Sequence, residues 1–147
     1  MQPRNRLIVM VVALIIAGLQ LVACGQAATS PSKESPAKIE KGENGINRVT
    51  LTEKAAQRLA IQTSPLVEEQ IGGAQRKVIP YTALIYDLQG KTWMYTSPAP
   101  LTFVRQAITV ERIDGDKVLL ADGPPAGTAV VTVGVPELYG ADTGIGK

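Results

Sequence analysis

Residues 83–96, Ala-Leu-Ile-Tyr-Asp-Leu-Gln-Gly-Lys-Thr-Trp-Met-Tyr-Thr, decide the fold class. Two runs rich in apolar, β-branched and aromatic residues, 83–86 and 92–96, flank the five residues Asp87-Leu88-Gln89-Gly90-Lys91. Such runs around a glycine-containing loop predict a β-hairpin. The pattern continues downstream. Residues 101–110 read as one strand. Residues 112–117 place an Asp-Gly turn before a strand at 118–120. Gly123-Pro124-Pro125-Ala126-Gly127 reads as a rigid loop, 129–133 as the last strand, and 135–139 as one helical turn. Strands recurring every ten or so residues predict a small β-barrel or sandwich-like domain.

Upstream, Asn47-Arg48-Val49-Thr50-Leu51 alternates and reads as a short strand. Residues 52–60 read as a short helix. Thr52 suits the N-cap, Glu53 the positive end of the dipole and Arg58 the negative end. Residues 61–71 resume extended character, with Pro65 suggesting an edge or bulge. Gly72-Gly73 breaks the run, and 76–79 leads into Pro80. The body expected is a mainly β domain over 46–147 with one short helix, about the size of a single modest core.

Residues 26–45 carry one large apolar residue, Ile39, among Ser, Pro, Lys, Glu and Gly. That composition buries too little surface to offset ordering, and predicts a disordered tether over 24–45 with a mean reach of roughly 25 Å. Before it, Arg4 and Arg6 precede an apolar run over 7–19. A helix of that length covers about 20 Å, short of the roughly 30 Å hydrocarbon core of a bilayer. The lengths fit a signal peptide over 1–23 rather than a membrane span. The end of the run, Leu21-Val22-Ala23-Cys24, resembles the lipobox of bacterial lipoproteins. The resemblance implies diacylglyceryl attachment to the Cys24 thiol, cleavage before it, and a lipid anchor in the cell envelope.

Composition narrows the function classes. The chain has 15 Lys+Arg against 13 Asp+Glu. Two of the basic residues sit in the signal, so the mature body is formally neutral, which argues against a nucleic-acid partner. There is no histidine and one cysteine. Imidazole metal sites, Ser-His triads and a disulfide within the monomer are therefore excluded. The remaining motifs carry little chemistry. Glu68-Glu69 would point to opposite faces of a strand. Asp114 and Asp116 flank Gly115 without the ligand series of a calcium loop and read as turn residues. Residues 123–127 lack the lysine and Ser/Thr of a phosphate loop. Met94 is a single thioether and reads as packing. No catalytic residue, metal or cofactor is expected, and the chain reads as non-enzymatic. Tyr86, Trp93 and Tyr95 are the aromatics singled out for partner contact: Trp93 and Tyr95 on one strand face, with Tyr86 across the hairpin.

Several segments together resemble the membrane-proximal domain of periplasmic adaptor subunits, the membrane fusion proteins of efflux systems. Val78-Ile79-Pro80-Tyr81-Thr82-Ala83-Leu84 is similar to the family's V-P-x-x-A-V/L segment. Thr92-Trp93-Met94-Tyr95 is similar to x-W-V-Y/F-V, residues 103–110 to F-x-R-R-x-V-x-V, residues 116–120 to D-x-V-x-V, and residues 123–131 to G-L-x-x-G-x-x-V-V with Pro124 in place of leucine. Residues 49–63 resemble the opening segment, with Ala60 in place of glycine. The order holds over 46–139. The family's helical hairpin, lipoyl-like and barrel domains are missing, since only 67–77 lies where they would be inserted. The resemblance implies a lipid-anchored module that docks on an inner-membrane transporter or supplements a full-length adaptor. The alternatives are a free-standing envelope module for a ligand or peptide, or a degenerate remnant of an adaptor.

Overall fold

Extended pairing begins earlier in the chain than composition suggests. The computed structural model describes residues 35–145. Strand β1 (Ala37–Lys41) pairs antiparallel with β2 (Asn47–Leu51) through five register positions, from Ala37 opposite Leu51 to Lys41 opposite Asn47. The disordered tether expected over 24–45 is therefore corrected for residues 37–41. An edge strand needs only one paired side and little apolar surface. Ala37 packs against the core, Ile39 sits opposite Val49, and Lys38 and Glu40 form a 2.8 Å exposed ion pair. Charged side chains on an edge also discourage pairing with other chains. The signal peptide (1–23), Cys24 and the first part of the tether lie outside the described residues.

After β2, Thr52 caps α1 (Glu53–Arg58) as expected. Its Oγ1 accepts from the Ala55 amide at 3.2 Å, with Glu53 in the first turn and Arg58 in the last. The chain continues through β3 (Gln62–Pro65), β4 (Val67–Ile71), β5 (Ala74–Pro80), a 3-10 turn (Tyr81–Ala83), β6 (Ile85–Tyr86) and β7 (Thr92–Ala99). It ends with β8 (Thr102–Ala107), β9 (Thr109–Asp114), β10 (Lys117–Asp122), β11 (Ala129–Val133) and α2 (Val135–Thr143). The helical turn expected at 135–139 is thus a nine-residue helix. Gly134 makes its start possible. It has φ 78°, and a Cβ there would lie 2.5 Å from Ile61 Cδ1 and 2.6 Å from the Leu59 carbonyl oxygen. Only glycine takes that conformation and that approach together without strain.

The strands form two sheets. The larger has the order β1-β2-β8-β7-β11-β3, with β6 pairing β7 beside β11; the smaller is β4-β5-β10-β9. Neither closes into a barrel, and the domain is sandwich-like. The strand expected over 101–110 divides between the sheets. Ile108 is the crossing point, and its amide donates to the Thr92 carbonyl at 3.0 Å while its carbonyl accepts from Thr92 Oγ1 at 2.7 Å. Leu66 crosses in the same way between β3 and β4. Its amide donates to Thr128 O, and its carbonyl accepts from the Gly127 amide, both at 2.8 Å. Both crossing residues are buried in the inter-sheet core with Ile79, Ala83, Met94, Val118, Leu120 and Val130.

The large sheet is buried on both faces. Met94 and Val130 point into the inter-sheet core, whereas their neighbours Tyr95 and Val131 join Val49, Leu51, Phe103, Val135 and Leu138 beneath the helices. Consecutive buried residues mark a strand covered on both sides, because successive side chains alternate faces. On the outer face of the small sheet, Lys117–Glu69 at 2.7 Å and Arg76–Glu111 at 3.2 Å link alternate strands around buried Val78 and Leu119.

Leu66→Ala removes buried apolar surface at a crossing and is expected to cost about 2–5 kcal/mol, whereas Ile113→Ala, at a 44% exposed position, is expected to cost under about 0.5 kcal/mol. Urea unfolding of both variants checks this. Similar losses would contradict the placement of the inter-sheet core.

Candidate functional site

Tyr86, Trp93 and Tyr95 do not form one exposed patch. The β6–β7 register sets Ile85 opposite Trp93 and Tyr86 opposite Thr92. Tyr86 therefore stands on the other face from Trp93 and Tyr95, and it is 51% exposed. Trp93 is half-buried against the helix-side core, and Tyr95 is fully buried within it. Partner contact by Tyr95 is thus corrected: its strand lies in the middle of the large sheet under α2, so its ring is core. Cys24 and the lipobox residues Leu21, Val22 and Ala23 lie outside the described residues.

The hairpin loop holds Trp93 in place. The Asp87 amide donates to the Lys91 carbonyl at 3.0 Å, and Asp87 Oδ1 accepts from the Gln89 and Lys91 amides, both at 2.9 Å. Asp87 Oδ2 accepts from Trp93 Nε1 at 2.9 Å. Desolvation works against the Asp87 carboxylate, but the Trp93 bond and the two amide bonds outweigh it and hold its pKa below the ordinary carboxylate value. Leu88 projects from this fixed loop at 90% exposure.

Beneath α2 lies the polar cluster of the domain. Val135, Leu138 and Asp142 are the buried residues of the helix, spaced so that they share its inward face. The Asp142 side chain has no exposed surface. Its Oδ2 accepts from the Tyr95 hydroxyl at 2.6 Å, and its Oδ1 accepts from Asn47 Nδ2 at 2.9 Å. The same Asn47 amide reaches the Asp142 backbone carbonyl at 3.1 Å. Arg105 Nε stands 3.4 Å from Oδ2, close enough for charge compensation, yet it is a buried donor with no hydrogen-bond partner. The Arg105 guanidinium carbon lies 5.0 Å from the Trp93 ring centroid and 5.6 Å from that of Tyr139.

Three adjacent strands supply this cluster: β2 gives Asn47, β8 gives Arg105, and β7 gives Tyr95 and Trp93. Arg105 and Tyr95 are direct register partners, which brings them to one face. Burial, followed by the hydrogen bond and negative charge of Asp142, pushes the Tyr95 phenol well above its ordinary pKa. Tyr95 is fully buried and the Asp142 side chain has no exposed surface, so this bonded pair is closed to solvent. Among the described residues no three His, Cys, Asp or Glu side chains are placed to share a metal ion. A shallow open depression of about 390 Å³ lies elsewhere, lined by Glu53, Ala56, Gln57, Ala60, Ile61, Gln62 and Leu101. Two of its residues, Ala60 (φ 51°) and Leu101 (φ 57°), have left-handed backbones.

Sequence reasoning missed Asn47, Arg105, Tyr139 and Asp142 as one constellation. A readable signal existed: an acidic residue seven positions after Val135 and four after Leu138, on the apolar stripe of a helix. Ending the helix at Tyr139 hid it. No protein family, curated protein or solved structure matches the chain.

Two pH responses follow from these geometries. The Tyr95 phenol is held protonated in the fold but ionises near pH 10 in the unfolded chain. Its contribution to stability is fully present below about pH 10 and lost as pH rises above it. Urea melts from pH 8 to pH 11 should show a steeper decline for the wild type than for Tyr95→Phe; parallel curves would contradict the buried bond. Asp87 has the opposite sign. Its contribution is complete above the ordinary carboxylate value near pH 4 and is lost as pH falls through its depressed folded value. Trp93 is the sole tryptophan, so its emission should change over that acid range in the wild type and stay flat in Asp87→Asn.

Proposed function

We propose that this chain is a non-enzymatic, lipid-anchored envelope module of the adaptor type, held to a membrane through acylated Cys24 and working beside a transporter. The observation that carries the reading is the sheet order. Strands from the N-terminal part, β2 and β3, flank the C-terminal strands β8, β7 and β11 within one sheet. A domain assembled in this way from both parts of its chain tolerates insertions between them, which is how the resembled family carries its extra domains. Here the corresponding excursion is the β4–β5 hairpin, turned by Gly72 and Gly73 at φ 62° and 84°. That hairpin forms half of the small sheet, so the shortened chain supports a closed core of its own. A degenerate remnant would not be expected to keep such a core.

The position of β1 tightens the proposed anchoring. The chain between Cys24 and Ser35 spans at most about 40 Å when fully extended. Two or three acyl chains on Cys24 would therefore keep the domain within roughly its own diameter of the bilayer surface. The neutral mature body adds no electrostatic attraction to anionic lipid, so on this reading the thiol alone sets membrane residence.

Metabolic labelling with an alkyne fatty acid, followed by membrane fractionation, tests the anchor. The wild type is expected to take up label and pellet with membranes, and Cys24→Ala to lose the label. An unlabelled wild type would contradict it. A photo-crosslinker replacing exposed Tyr86 tests the adaptor role in cells. Adducts with a polytopic transporter subunit or a full-length adaptor are expected, and adducts with neither would overturn that part.

A further inference from the structure

Among the described residues, Arg105 Nε is a buried side-chain donor that no hydrogen bond answers. A guanidinium carries five N–H donors and accepts nothing. Its side chain is only 14% exposed, and its Nε is a buried donor with no hydrogen-bond partner among the described residues. Buried donors are ordinarily satisfied, and an exception asks for an explanation. Asp142 does not provide one. Its Oδ1 accepts from Asn47 and its Oδ2 from Tyr95, and the 3.4 Å approach of Arg105 Nε to Oδ2 is a charge contact that lacks hydrogen-bond geometry.

The surroundings are built to hold this arginine still. Asp142 is fixed by two side-chain donors, and Trp93 is fixed by its bond to Asp87. The Trp93 and Tyr139 rings stand against the guanidinium at 5.0 and 5.6 Å, and Nε is buried. What remains is the outer edge carrying the two Nη groups. An apolar replacement of similar volume would fill the same space without the desolvation cost of a buried ion pair.

We propose that this outer edge of Arg105, between Trp93 and Tyr139, is a binding slot for a carboxylate. Two parallel N–H donors match the two oxygens of a carboxylate in a bidentate pair. A planar group fits beside aromatic rings better than a tetrahedral phosphate does. The nearby Asp142 charge further favours a monoanion over a phosphate dianion. The carboxylate belongs either to an acidic side chain on a partner peptide or to a small organic acid. The slot lies in the folded domain and does not depend on lipid anchoring or on a transporter.

Trp93, the sole tryptophan, reports on the slot directly. The full chain in a non-ionic detergent would be titrated with acetate, with a tetra-glutamate peptide, with inorganic phosphate and with sodium chloride, all at matched ionic strength. A saturable change in Trp93 emission at millimolar acetate or peptide, absent with chloride, is expected. Tighter binding of the peptide, by tenfold or more, would assign a peptide source; equal binding per carboxylate would assign a small acid. Arg105→Lys keeps the charge beside Asp142 but loses the fork, and should weaken binding at least tenfold. Arginine side-chain NMR of the wild type gives a second readout, in which carboxylate should move the Arg105 resonance. No saturable response, tighter binding of phosphate, unchanged binding in Arg105→Lys, or an unmoved Arg105 resonance would each overturn the proposal.

Discussion

One buried carboxylate ties this domain together. Asp142, on the last helix, meets Asn47 from β2 and Tyr95 from β7, and it faces Arg105 from β8. Those strands are consecutive in the large sheet, so a single side chain on α2 spans three of them. Asn47 and Asp142 also join the early and late parts of the described chain. Without such a tie, the nine-residue helix would rest on buried Val135 and Leu138, partly buried Tyr139 and its connection to β11. Burying a charge costs several kcal/mol unless it is compensated, and removing one partner of such a pair typically costs about 3–5 kcal/mol. The cluster therefore favours one helix position strongly over its alternatives.

That constraint shapes the large sheet. A sheet covered on one face by helices and on the other by a second sheet must bury residues on both sides of its central strands. Residues 93–96 and 130–131 do so, with Tyr95 and Val131 facing the helices and Met94 and Val130 facing the small sheet. Leu66 and Ile108 carry the chain between layers, and both have their amide and carbonyl bonded at the crossing. Buried backbone with unmet bonds would be costly there, so each crossing is pinned at the point where it is buried.

Local structure was legible in the sequence where local chemistry decides it. The strand at Asn47–Leu51, the Thr52 cap and the Asp87–Lys91 hairpin loop follow from alternation, capping and turn composition. The rest depended on distant partners. β1 exists because β2 offers a free edge, and nothing between Ala37 and Lys41 announces that by itself. The division at Ile108 depends on a bond to Thr92, sixteen residues earlier. Tyr95 looked like a contact residue because an aromatic on a hairpin reads the same whether or not a helix later covers it. The Asp142 cluster joins residues up to ninety-five positions apart, and only the fold places them together.

The functional reading inherits the same division. Lipid attachment rests on Cys24 and the residues before it, and adaptor character on a resemblance and a sheet order. Neither involves the Asp142 cluster, which stabilises the body that any such role requires. The cluster also orients Arg105, whose buried Nε remains unanswered among the described residues. The most direct test of its coupling is a double-mutant cycle with Tyr95→Phe and Asp142→Asn, measured by urea unfolding at neutral pH. A coupling of about 1 kcal/mol or more between the two positions is predicted. Additive losses would mean that the 2.6 Å bond between the phenol and the carboxylate does not hold the helix to the sheet.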